Sequence, residues 1–230
     1  MKRILVIGNS DGIGLATTRL LLQQGWSVTG LSRRPSPLTD SSYHHTVLDV
    51  AAPELRTTLT ELMATRGPFD VCLYCAGIGE PLLVTDLRPE VRTLEVNLMG
   101  AIIVAEVLVP TMVQAGAGHL VVLSSLGDGL LMPTAPAYYA SKAGMSAYFE
   151  SLGLRLKRRG VAVTNIRFGF VDTKLAKSKW RPFQLSAERA AAVIVHTLNT
   201  RPLRCSYPWA MAWLVGVMRW CQQWQVRWHS

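Results

Sequence analysis

The chain has 230 residues, of which 49% are hydrophobic and 17% are charged. That length suits one domain with a sizeable core, and the composition excludes a disordered protein. The formal net charge of +9 directs attention to anionic partners.

The positive charge is concentrated in the last third of the chain. Residues 1–150 carry 10 Lys and Arg against 13 Asp and Glu, a balance of −3, whereas residues 151–230 carry 14 against 2, a balance of +12. This asymmetry suits a phosphorylated cofactor, an acidic carrier, a nucleic acid or lipid head groups, and a solvated basic surface explains it equally well. Because no nucleic-acid-reading motif accompanies the charge, we expect no nucleic-acid partner.

The four cysteines, Cys72, Cys75, Cys205 and Cys221, show no disulfide-framework spacing. Cys72-x-x-Cys75 has the spacing of a metal or redox pair, but it lies in an apolar run typical of a strand, where residues three apart face opposite sides. We therefore interpret the cysteines as free thiols in a reducing compartment and predict no metal site. The first apolar run, Ile4–Ile7, is too short for a signal peptide, so we expect a cytoplasmic protein.

Short apolar runs alternate with longer helical patterns along the chain. The runs predict strands at Ile4–Ile7, Ser27–Ser32, His45–Leu48, Asp70–Cys75, His119–Ser124, Val161–Phe168 and Arg204–Tyr207.

The intervening segments have helical periodicity. They predict helices at Ile13–Gln24, Pro53–Thr65, Arg88–Ala115, Ala137–Arg159 and Ala187–Thr200. A βαβ rhythm with right-handed crossovers implies an α/β fold, a doubly wound Rossmann-type parallel sheet of about seven strands flanked by helices. We predict one catalytic domain over residues 1–207, followed by a Trp-rich helical tail over residues 208–230.

A glycine-rich turn separates the first predicted strand from the first helix. Glycines permit a tight turn, and a helix N-terminus offers free N–H groups to phosphate oxygens. Because the turn lies between strand and helix, we favour dinucleotide binding over a plain glycine-rich turn. Asp11 would repel a phosphate, so we expect it to point away or to cap the helix. The predicted cofactor contacts here are Gly8, Ser10, Asp11, Gly12, Ile13 and Gly14.

The end of the second predicted strand indicates which dinucleotide is preferred. NAD-binding folds commonly place an acid there to hold the ribose 2′-hydroxyl. This chain has Ser32-Arg33-Arg34 instead, whose two guanidinium groups suit a 2′-phosphate. Two exposed loop arginines are the alternative interpretation. We expect NADP(H) to be preferred, with NAD(H) still able to bind.

Tyr138 and Lys142 lie four residues apart in a predicted helix, with Ser125 thirteen residues before the tyrosine. Residues four apart share one helix face. An ammonium beside a phenol stabilises the phenolate, so this spacing predicts a lowered tyrosine pKa and proton exchange with an alcohol or carbonyl. By the same spacing, Tyr139 is expected to be a packing residue, and Ser124 to belong to the strand.

The glycine turn, the Tyr-x-x-x-Lys pair and the upstream serine together resemble the short-chain dehydrogenase/reductase superfamily, in its compact single-domain branch, over roughly residues 1–200. The resemblance implies that Asn97 completes a catalytic tetrad with Ser125, Tyr138 and Lys142. It also implies cofactor contacts at matching positions. These are Asp49 and Val50 for the adenine, Ala76 and Gly77 after the fourth strand, Tyr138 and Lys142, and Gly169, Val171 and Thr173 beside the nicotinamide.

Three residues depart from the superfamily's usual pattern. Ile7 replaces a threonine and Cys75 replaces an asparagine, which we interpret as the repacking of one polar contact. Phe168 stands where a proline is usual before Gly169, which affects the path of the loop beside the nicotinamide.

These residues predict hydride transfer between a nicotinamide cofactor and a ketone or secondary alcohol. By the resemblance, Tyr138 exchanges the proton, Lys142 holds the nicotinamide ribose, Ser125 orients the substrate oxygen and Asn97 fixes a water that supplies protons. Alcohol oxidation, epimerase or dehydratase chemistry, and a catalytically silent dinucleotide-binding or regulatory protein are the alternatives. The complete tetrad favours an enzyme over a silent binder.

The tail places Trp209, Trp213, Trp220 and Trp224 within roughly 60° of one another at about 100° per residue. This ridge suggests packing on the body or on another subunit, a lid over an apolar substrate, or a helix lying at a membrane interface. In the last case the protein is peripheral at the inner membrane surface and a lipid-like ketone becomes a candidate substrate.

The segment Lys174–Ser186 is basic and contains Trp180 and Phe183. It predicts closure over an apolar substrate with an anionic handle, such as a carboxylated or carrier-bound ketone. By resemblance to the superfamily, we expect a homodimer or homotetramer that pairs through the helices containing Asn97 and Tyr138.

Overall fold

The computed structural model describes residues 1–173 and 181–228, with side chains left out at 223 and 225–228. A seven-stranded sheet, parallel throughout, has the strand order β3-β2-β1-β4-β5-β6-β7. The strands are β1 (Arg3–Ile7), β2 (Ser27–Ser32), β3 (Tyr43–Val47), β4 (Val71–Tyr74), β5 (Gly118–Ser125), β6 (Val161–Phe168) and β7 (Arg204–Tyr207).

Helices cover both faces of the sheet, which confirms the predicted doubly wound α/β fold. The helix ends differ from the predicted ones by a few residues, because caps and turns decide them. The helices are α1 (Gly12–Gln23), α2 (Leu55–Arg66), α3 (Arg88–Leu94), α4 (Gly100–Ala115), α5 (Pro136–Leu156), α6 (Ala187–Thr200) and α7 (Trp209–Trp228).

The strands are apolar on both faces because each face is covered by helices. Along β1, Leu5 and Ile7 point into a cluster that also contains residues of α2, α4 and α5. Ile4 and Val6 alternate with them and point into the cluster formed with α1 and α6. The two cores flank the sheet and hold its carboxyl edge in one fixed shape.

The sheet reverses its strand order between β1 and β4. The chain proceeds from β1 outward to β2 and β3, and then returns to β4 on the other side of β1. The loops after β1 and β4 therefore diverge to opposite faces and leave a crevice at the carboxyl edge, where ligands of such folds bind.

The helix predicted at Arg88–Ala115 is continuous but changes pitch, with a π-helical segment at Glu95–Met99 between α3 and α4. An 18-residue stretch of this helix has a mean hydropathy of 2.0, so by length and composition alone the helix could cross a membrane. In the fold, Val104, Leu108 and Met112 are buried against the sheet. Packing in the hydrophobic core therefore explains the apolar residues on the side of the helix that faces the sheet.

The two departures at the centre of the sheet lie on neighbouring strands. The Cys75 N–H donates to the Ile7 carbonyl at 2.8 Å. Their side chains, however, belong to clusters on opposite faces of the sheet, so the expected single repacked contact between them is wrong. Cys72 and Cys75 also lie on opposite faces of the sheet, so their thiols do not face each other as those of a metal or redox pair would.

The tail forms one helix, α7, which packs on the segment after β5. Met211 and Val215 form a small cluster with Leu126, and the Gln222 amide exchanges two hydrogen bonds with the Leu131 backbone at 3.0 and 3.1 Å. Trp209, the first ring of the tryptophan ridge, does not pack on the body, since it is 78% exposed.

His119 is a fully buried histidine at the start of β5, away from the carboxyl edge. Thr164 Oγ1 donates to the Pro202 carbonyl at 2.6 Å, so it accepts from His119 Nε2 at 2.8 Å. His119 Nδ1 has no hydrogen-bond partner among the described residues. Burial first, and then the positive charge of Arg201, lower the pKa of His119 to about 4.

The folded state should therefore lose stability in acid because of His119. Above pH 6.5 this histidine is neutral in both states, and between pH 6.5 and pH 4 only the unfolded chain takes up the proton. The loss amounts to about 3 kcal/mol once the pH reaches about 4. Urea unfolding between pH 7.5 and pH 4 measures it, with His119→Gln expected to lack this component.

The exposed His196→Gln variant is the control and should follow the wild-type curve. Equal pH dependence in wild type and His119→Gln would contradict the assignment.

Candidate functional site

The glycine-rich turn lies at the centre of the carboxyl edge, against the loop after β4. Gly8 has φ of +86°, and a Cβ there would lie 2.6 Å from the Ala76 nitrogen. A Cβ on Gly14 would lie 2.2 Å from the Gly8 carbonyl oxygen. Only glycine allows these two approaches, which bring the N-terminus of α1 to the crevice.

Asp11 caps α1, as the sequence predicts. One carboxylate oxygen accepts from Gly12 N at 2.8 Å, and the other lies 3.2 Å from Arg34 Nη2. The guanidinium side chain is 57% exposed and the carboxylate 39%. Such an exposed pair is worth at most about 1 kcal/mol, so a phosphate can replace the carboxylate on Arg34 at little cost.

Ser32 fixes the direction of the chain as β2 ends. Its buried hydroxyl donates to the Arg34 carbonyl at 2.9 Å and lies 2.8 Å from His45 Nε2. Since the hydroxyl proton is committed to the carbonyl, His45 is the donor in the second contact. Ser32 therefore holds the turn that presents Arg33 and Arg34.

One cleft collects residues from the glycine turn, from the end of β2 and from the loops after β3 and β4. Asp49 in its wall is held by Arg92, whose Nη2 lies 2.5 Å from Asp49 Oδ2. The predicted cofactor contacts that line this cleft are Gly8, Ser10, Asp11, Gly12, Ile13, Gly14, Ser32, Arg33, Arg34, Asp49, Val50, Ala76, Gly77 and Thr173.

Cys75, Ile78 and Val96 also line the cleft but were not among the predicted contacts. The signal for Ile78 is its position directly after Gly77. No motif in the sequence marks Val96. It belongs to the π-helical segment, whose changed pitch could not be predicted from the sequence.

Four of the predicted contacts lie outside this lining. Lys142 Nζ is just beneath it, 3.7 Å from the position of a Cβ on Gly77. Tyr138 is on the same helix, and its ring would be 2.9 Å from a Cβ on Gly79. Gly169 and Val171 belong to the loop after β6.

The loop after β6 is held at both described ends. Gly169 N donates to the Tyr207 carbonyl at 3.0 Å, and Val171 forms a single parallel bridge with Leu185. Thr173 closes against the glycine turn, with its Cγ2 3.1 Å from the position of a Cβ on Gly12. Of the predicted specificity segment Lys174–Ser186, residues 174–180 lie outside the described part of the chain.

Asn97 is fully buried in the π-helical segment. Its Oδ1 accepts from Ile78 N at 2.8 Å, while Nδ2 donates to the Ile78 carbonyl at 2.8 Å and to Ser141 Oγ at 3.0 Å. Single π-helical turns are frequent at functional sites because they redirect a side chain out of the regular repeat. Here the turn directs an amide between the β4 loop and α5.

Ser125, Tyr138 and Lys142 come together where β5 ends beside α5. Ser125 lies close enough to the Tyr138 hydroxyl to lower the pKa of that group, and its Oγ accepts from Gly127 N at 3.1 Å. Lys142 is buried, and its Nζ donates to the Leu123 carbonyl at 2.8 Å. The same Nζ lies 5.9 Å from the centre of the Tyr138 ring.

The tyrosine pKa is not lowered in this arrangement, in contrast to the prediction from the spacing. Burial raises the pKa of Tyr138 to about 12, against a smaller lowering by the Ser125 hydrogen bond. Burial also lowers the pKa of Lys142 to about 8. The helix spacing is as predicted, but desolvation outweighs the ammonium, which is directed at the Leu123 carbonyl.

Tyr139 and Ser124 take the supporting places that the sequence predicts. The Tyr139 ring stacks edge-on against Tyr138, with centroids 5.4 Å apart. Ser124 Oγ donates to the Lys142 carbonyl at 3.1 Å and lies 2.7 Å from Ser146 Oγ. Neither belongs to the pair formed by Ser125 and Tyr138.

A buried ion pair holds the segment after Ser125. Asp128 Oδ1 lies 2.5 Å from Arg167 Nη2, and Asp128 Oδ2 accepts from Ser146 Oγ at 2.5 Å. Asn165 on β6 donates to the same Ser146 Oγ at 2.9 Å. These bonds join the end of β5, the middle of α5 and the end of β6 into one rigid support. Nothing in the spacing of Asp128 and Arg167 indicates this pair.

Comparison with known proteins decides the family. A family model described as short chain dehydrogenase matches residues 2–182. The chain belongs to the short-chain dehydrogenase/reductase superfamily. It is therefore an NAD(P)-dependent oxidoreductase of the dehydrogenase/reductase class.

Other superfamily members cover most of the chain. An uncharacterized oxidoreductase of Mycobacterium tuberculosis is 29% identical over 224 residues, covering 90% of this chain and 88% of the relative. A short chain dehydrogenase from Burkholderia cenocepacia, solved in complex with NADP, superimposes with a TM-score of 0.85 at 18% identity, covering 100% of this chain and 98% of the other. The structure of 4-hydroxyisoleucine dehydrogenase complexed with NADH gives 0.80 at 20% identity, covering 90% and 96%.

The two superpositions show the fold, and their ligands show that similar dehydrogenases bind either NADP or NADH. The first also spans the region of α7, so the tail helix is part of the compared fold. Among the described residues of this chain, no cluster of three His, Cys, Asp or Glu is placed to hold a metal ion.

Proposed function

We propose that this dehydrogenase/reductase is an NADP(H)-dependent reductase that converts a ketone to a secondary alcohol through Asn97, Ser125, Tyr138 and Lys142. The observation that supports it most is the placement of Ser125 and Tyr138 side by side, near the buried Lys142 at the inner end of the cleft. This arrangement offers two hydroxyl groups to one substrate oxygen.

The cleft suits a dinucleotide. The glycine turn brings the N-terminus of α1 to its wall, which suits a pyrophosphate, and Val50 and Asp49 are available for the adenine. Lys142 would hold the nicotinamide ribose beneath Gly77, while Gly169, Val171 and Thr173 would border the ring. When bound, the reduced nicotinamide supplies a hydride.

Proton transfer is the task of the protein. Ser125 donates a hydrogen bond to the substrate carbonyl oxygen and orients it toward Tyr138. As hydride reaches the carbonyl carbon, the Tyr138 hydroxyl bond to hydrogen breaks and the proton moves to the substrate oxygen, which gives the alcohol and a phenolate. The Lys142 ammonium stabilises that phenolate, and Asn97 orders a proton path to solvent.

The direction of reaction follows from the tyrosine. With a pKa of about 12, Tyr138 carries its proton at neutral pH. A protonated phenol is ready to act as the acid in carbonyl reduction, whereas alcohol oxidation needs the phenolate as a base. The free enzyme is therefore prepared for reduction.

The preference for NADP(H) rests on the end of β2. Arg33 and Arg34 line the cleft, and the turn held by Ser32 has no carboxylate of its own. Asp11 pairs with Arg34 across the cleft, but the pair is exposed and weak. A ribose 2′-phosphate would bind both guanidinium groups, whereas the Asp11 carboxylate contacts that of Arg34.

The substrate would be apolar, with room for an anionic handle. Leu83 and Val84 follow β4 and are 57% and 78% exposed, and Leu131 follows β5 and is 65% exposed. Leu82 N donates to the Thr134 carbonyl at 2.8 Å, which ties these two loops together. The basic residues of Lys174–Ser186 supply charge for a carboxylate or phosphate on the substrate.

We further propose a cytoplasmic homodimer or homotetramer. The supporting observation is that α5 keeps apolar residues on its outer side, among them Leu154 at 66% and Tyr148 at 40% exposure. No nucleic-acid partner is proposed, because the basic residues accompany no reading motif.

Replacing Tyr138 with Phe should lower turnover by about 10²–10⁴-fold, because it removes the proton donor but leaves the ring in place. NADPH binding, measured by fluorescence titration, should persist. Tyr139→Phe is the matched control and should retain turnover. Unchanged ketone reduction in Tyr138→Phe would eliminate the mechanism.

The rate of reduction should depend on the charge of Lys142. The ammonium is present below its pKa of about 8 and is lost as the pH rises through that value. Ketone turnover at saturating NADPH should be level below pH 7 and fall about tenfold per pH unit well above pH 8. Lys142→Met should be slow at every pH and lack this limb. A wild-type rate that stays level to pH 10 would contradict the role of the ammonium.

Removing both guanidinium groups in Arg33→Ala/Arg34→Ala should raise the Kd for NADPH by about 10–100-fold, since charged hydrogen bonds to the 2′-phosphate are lost. The Kd for NADH should change little. Arg56→Ala, which removes an exposed arginine on α2, is the control for net charge. An equal loss of affinity for NADPH and NADH would refute 2′-phosphate recognition.

A further inference from the structure

Helix α7 has two opposite faces. Met211 and Val215 lie on the side that contacts the body, and Gln222 anchors the same side to Leu131. At about 100° per residue, the tryptophan ridge is centred roughly half a turn away from these residues. The ridge therefore points away from the folded body along the whole helix.

The rings of the ridge are well exposed. Trp209, Trp213, Trp220 and Trp224 are 78, 72, 61 and 48% exposed, and Val217 beside them is 42% exposed. They extend over sixteen residues, or about 22 Å of helix at 1.5 Å per residue. An aromatic surface of this length marks a place where something else binds.

The chain around the ridge is positively charged. From Trp209 to the end, the sequence contains two arginines, Arg219 and Arg227, and no Asp or Glu. Arg219 lies between the ridge and the side of α7 that contacts the body, where it is exposed and its Cδ is 2.8 Å from the position of a Cβ on Gly129. An anionic surface is the complementary partner for such a helix.

The size of the ridge favours a lipid surface over a second copy of this chain. With about 150–250 Å² per aromatic side chain and about two thirds of it exposed, four rings present roughly 400–650 Å². A stable interface between proteins buries roughly 800 Å² on each partner. A second copy would also bring positive against positive, whereas anionic head groups would meet the arginines.

We propose that α7 is an interfacial anchor that docks the enzyme on an anionic lipid bilayer, with the tryptophan rings at the head-group level. Trp is favoured at that depth because its ring is apolar and its N–H remains hydrated. The helix lies in the plane of the surface, since its other face is occupied by the body of the protein. The anchor involves neither the cofactor cleft nor the tetrad.

Vesicle flotation of the full chain tests the anchor. The wild type should float with phosphatidylcholine vesicles that contain 30% phosphatidylglycerol, bind pure phosphatidylcholine more weakly, and release in 0.5 M NaCl in part. Trp213→Ser/Trp220→Ser should weaken binding by about tenfold or more. Val47→Ser removes a 54%-exposed apolar side chain on β3, at the other edge of the sheet, and should float like the wild type.

Folding and assembly are followed in the same samples. Circular dichroism and NADPH binding should be equal in all three proteins, and the tryptophan emission of the wild type should shift to shorter wavelength on adding anionic vesicles. Failure of the wild type to float, or equal flotation of the double tryptophan variant, overturns the anchor. A change of oligomeric state by sedimentation in the double variant, without vesicle binding by the wild type, would assign the ridge to a second copy instead. None of these outcomes depends on the proposed reduction.

Discussion

The site depends on keeping one ammonium group buried beneath a nucleotide-sized cleft. A buried charge is costly unless it is hydrogen-bonded, and the Leu123 carbonyl at the end of β5 accepts a hydrogen bond from Lys142 Nζ. The cost is visible as a pKa lowered to about 8. In the proposed mechanism, a negative charge that develops on Tyr138 would lie near this ammonium and be stabilised by it.

The surrounding residues hold the Lys142 side chain in place. Asn97 closes the space between the β4 loop and α5, and Ser124 holds the Lys142 carbonyl. The glycine turn presses against Ala76 on the other side of the cleft. Two hydrophobic cores on either face of the sheet fix the strands from which these groups project. The chemistry thus relies on positions set by strand ends and not on flexible loops.

Much of this was accessible from the sequence because the signals are local. The apolar runs gave the strand positions, the glycine turn its place before α1, and the spacing of Tyr138 and Lys142 their shared helix face. What the sequence could not give arises from distant contacts. The direction of the Tyr138 pKa depends on burial by other elements, the pair of Asp128 and Arg167 joins residues 39 apart, and the outward side of α7 is decided by what its inner side meets.

The bonds around Asp128 divide the carboxyl edge into two parts. Ser124, Ser146 and Asn165 belong to a continuous set of hydrogen bonds that ties the end of β5 to α5 and β6, whereas the rim formed by Leu131 is attached to α7 chiefly through one glutamine amide. Substitutions in the rim would therefore leave the hydrogen bonds around Asp128 in place. Under the proposed function, the rim is the part of the site that can be varied without breaking the bonds to Asp128, so an engineer seeking new specificity would randomise residues 130–134 and the inner side of α7 first.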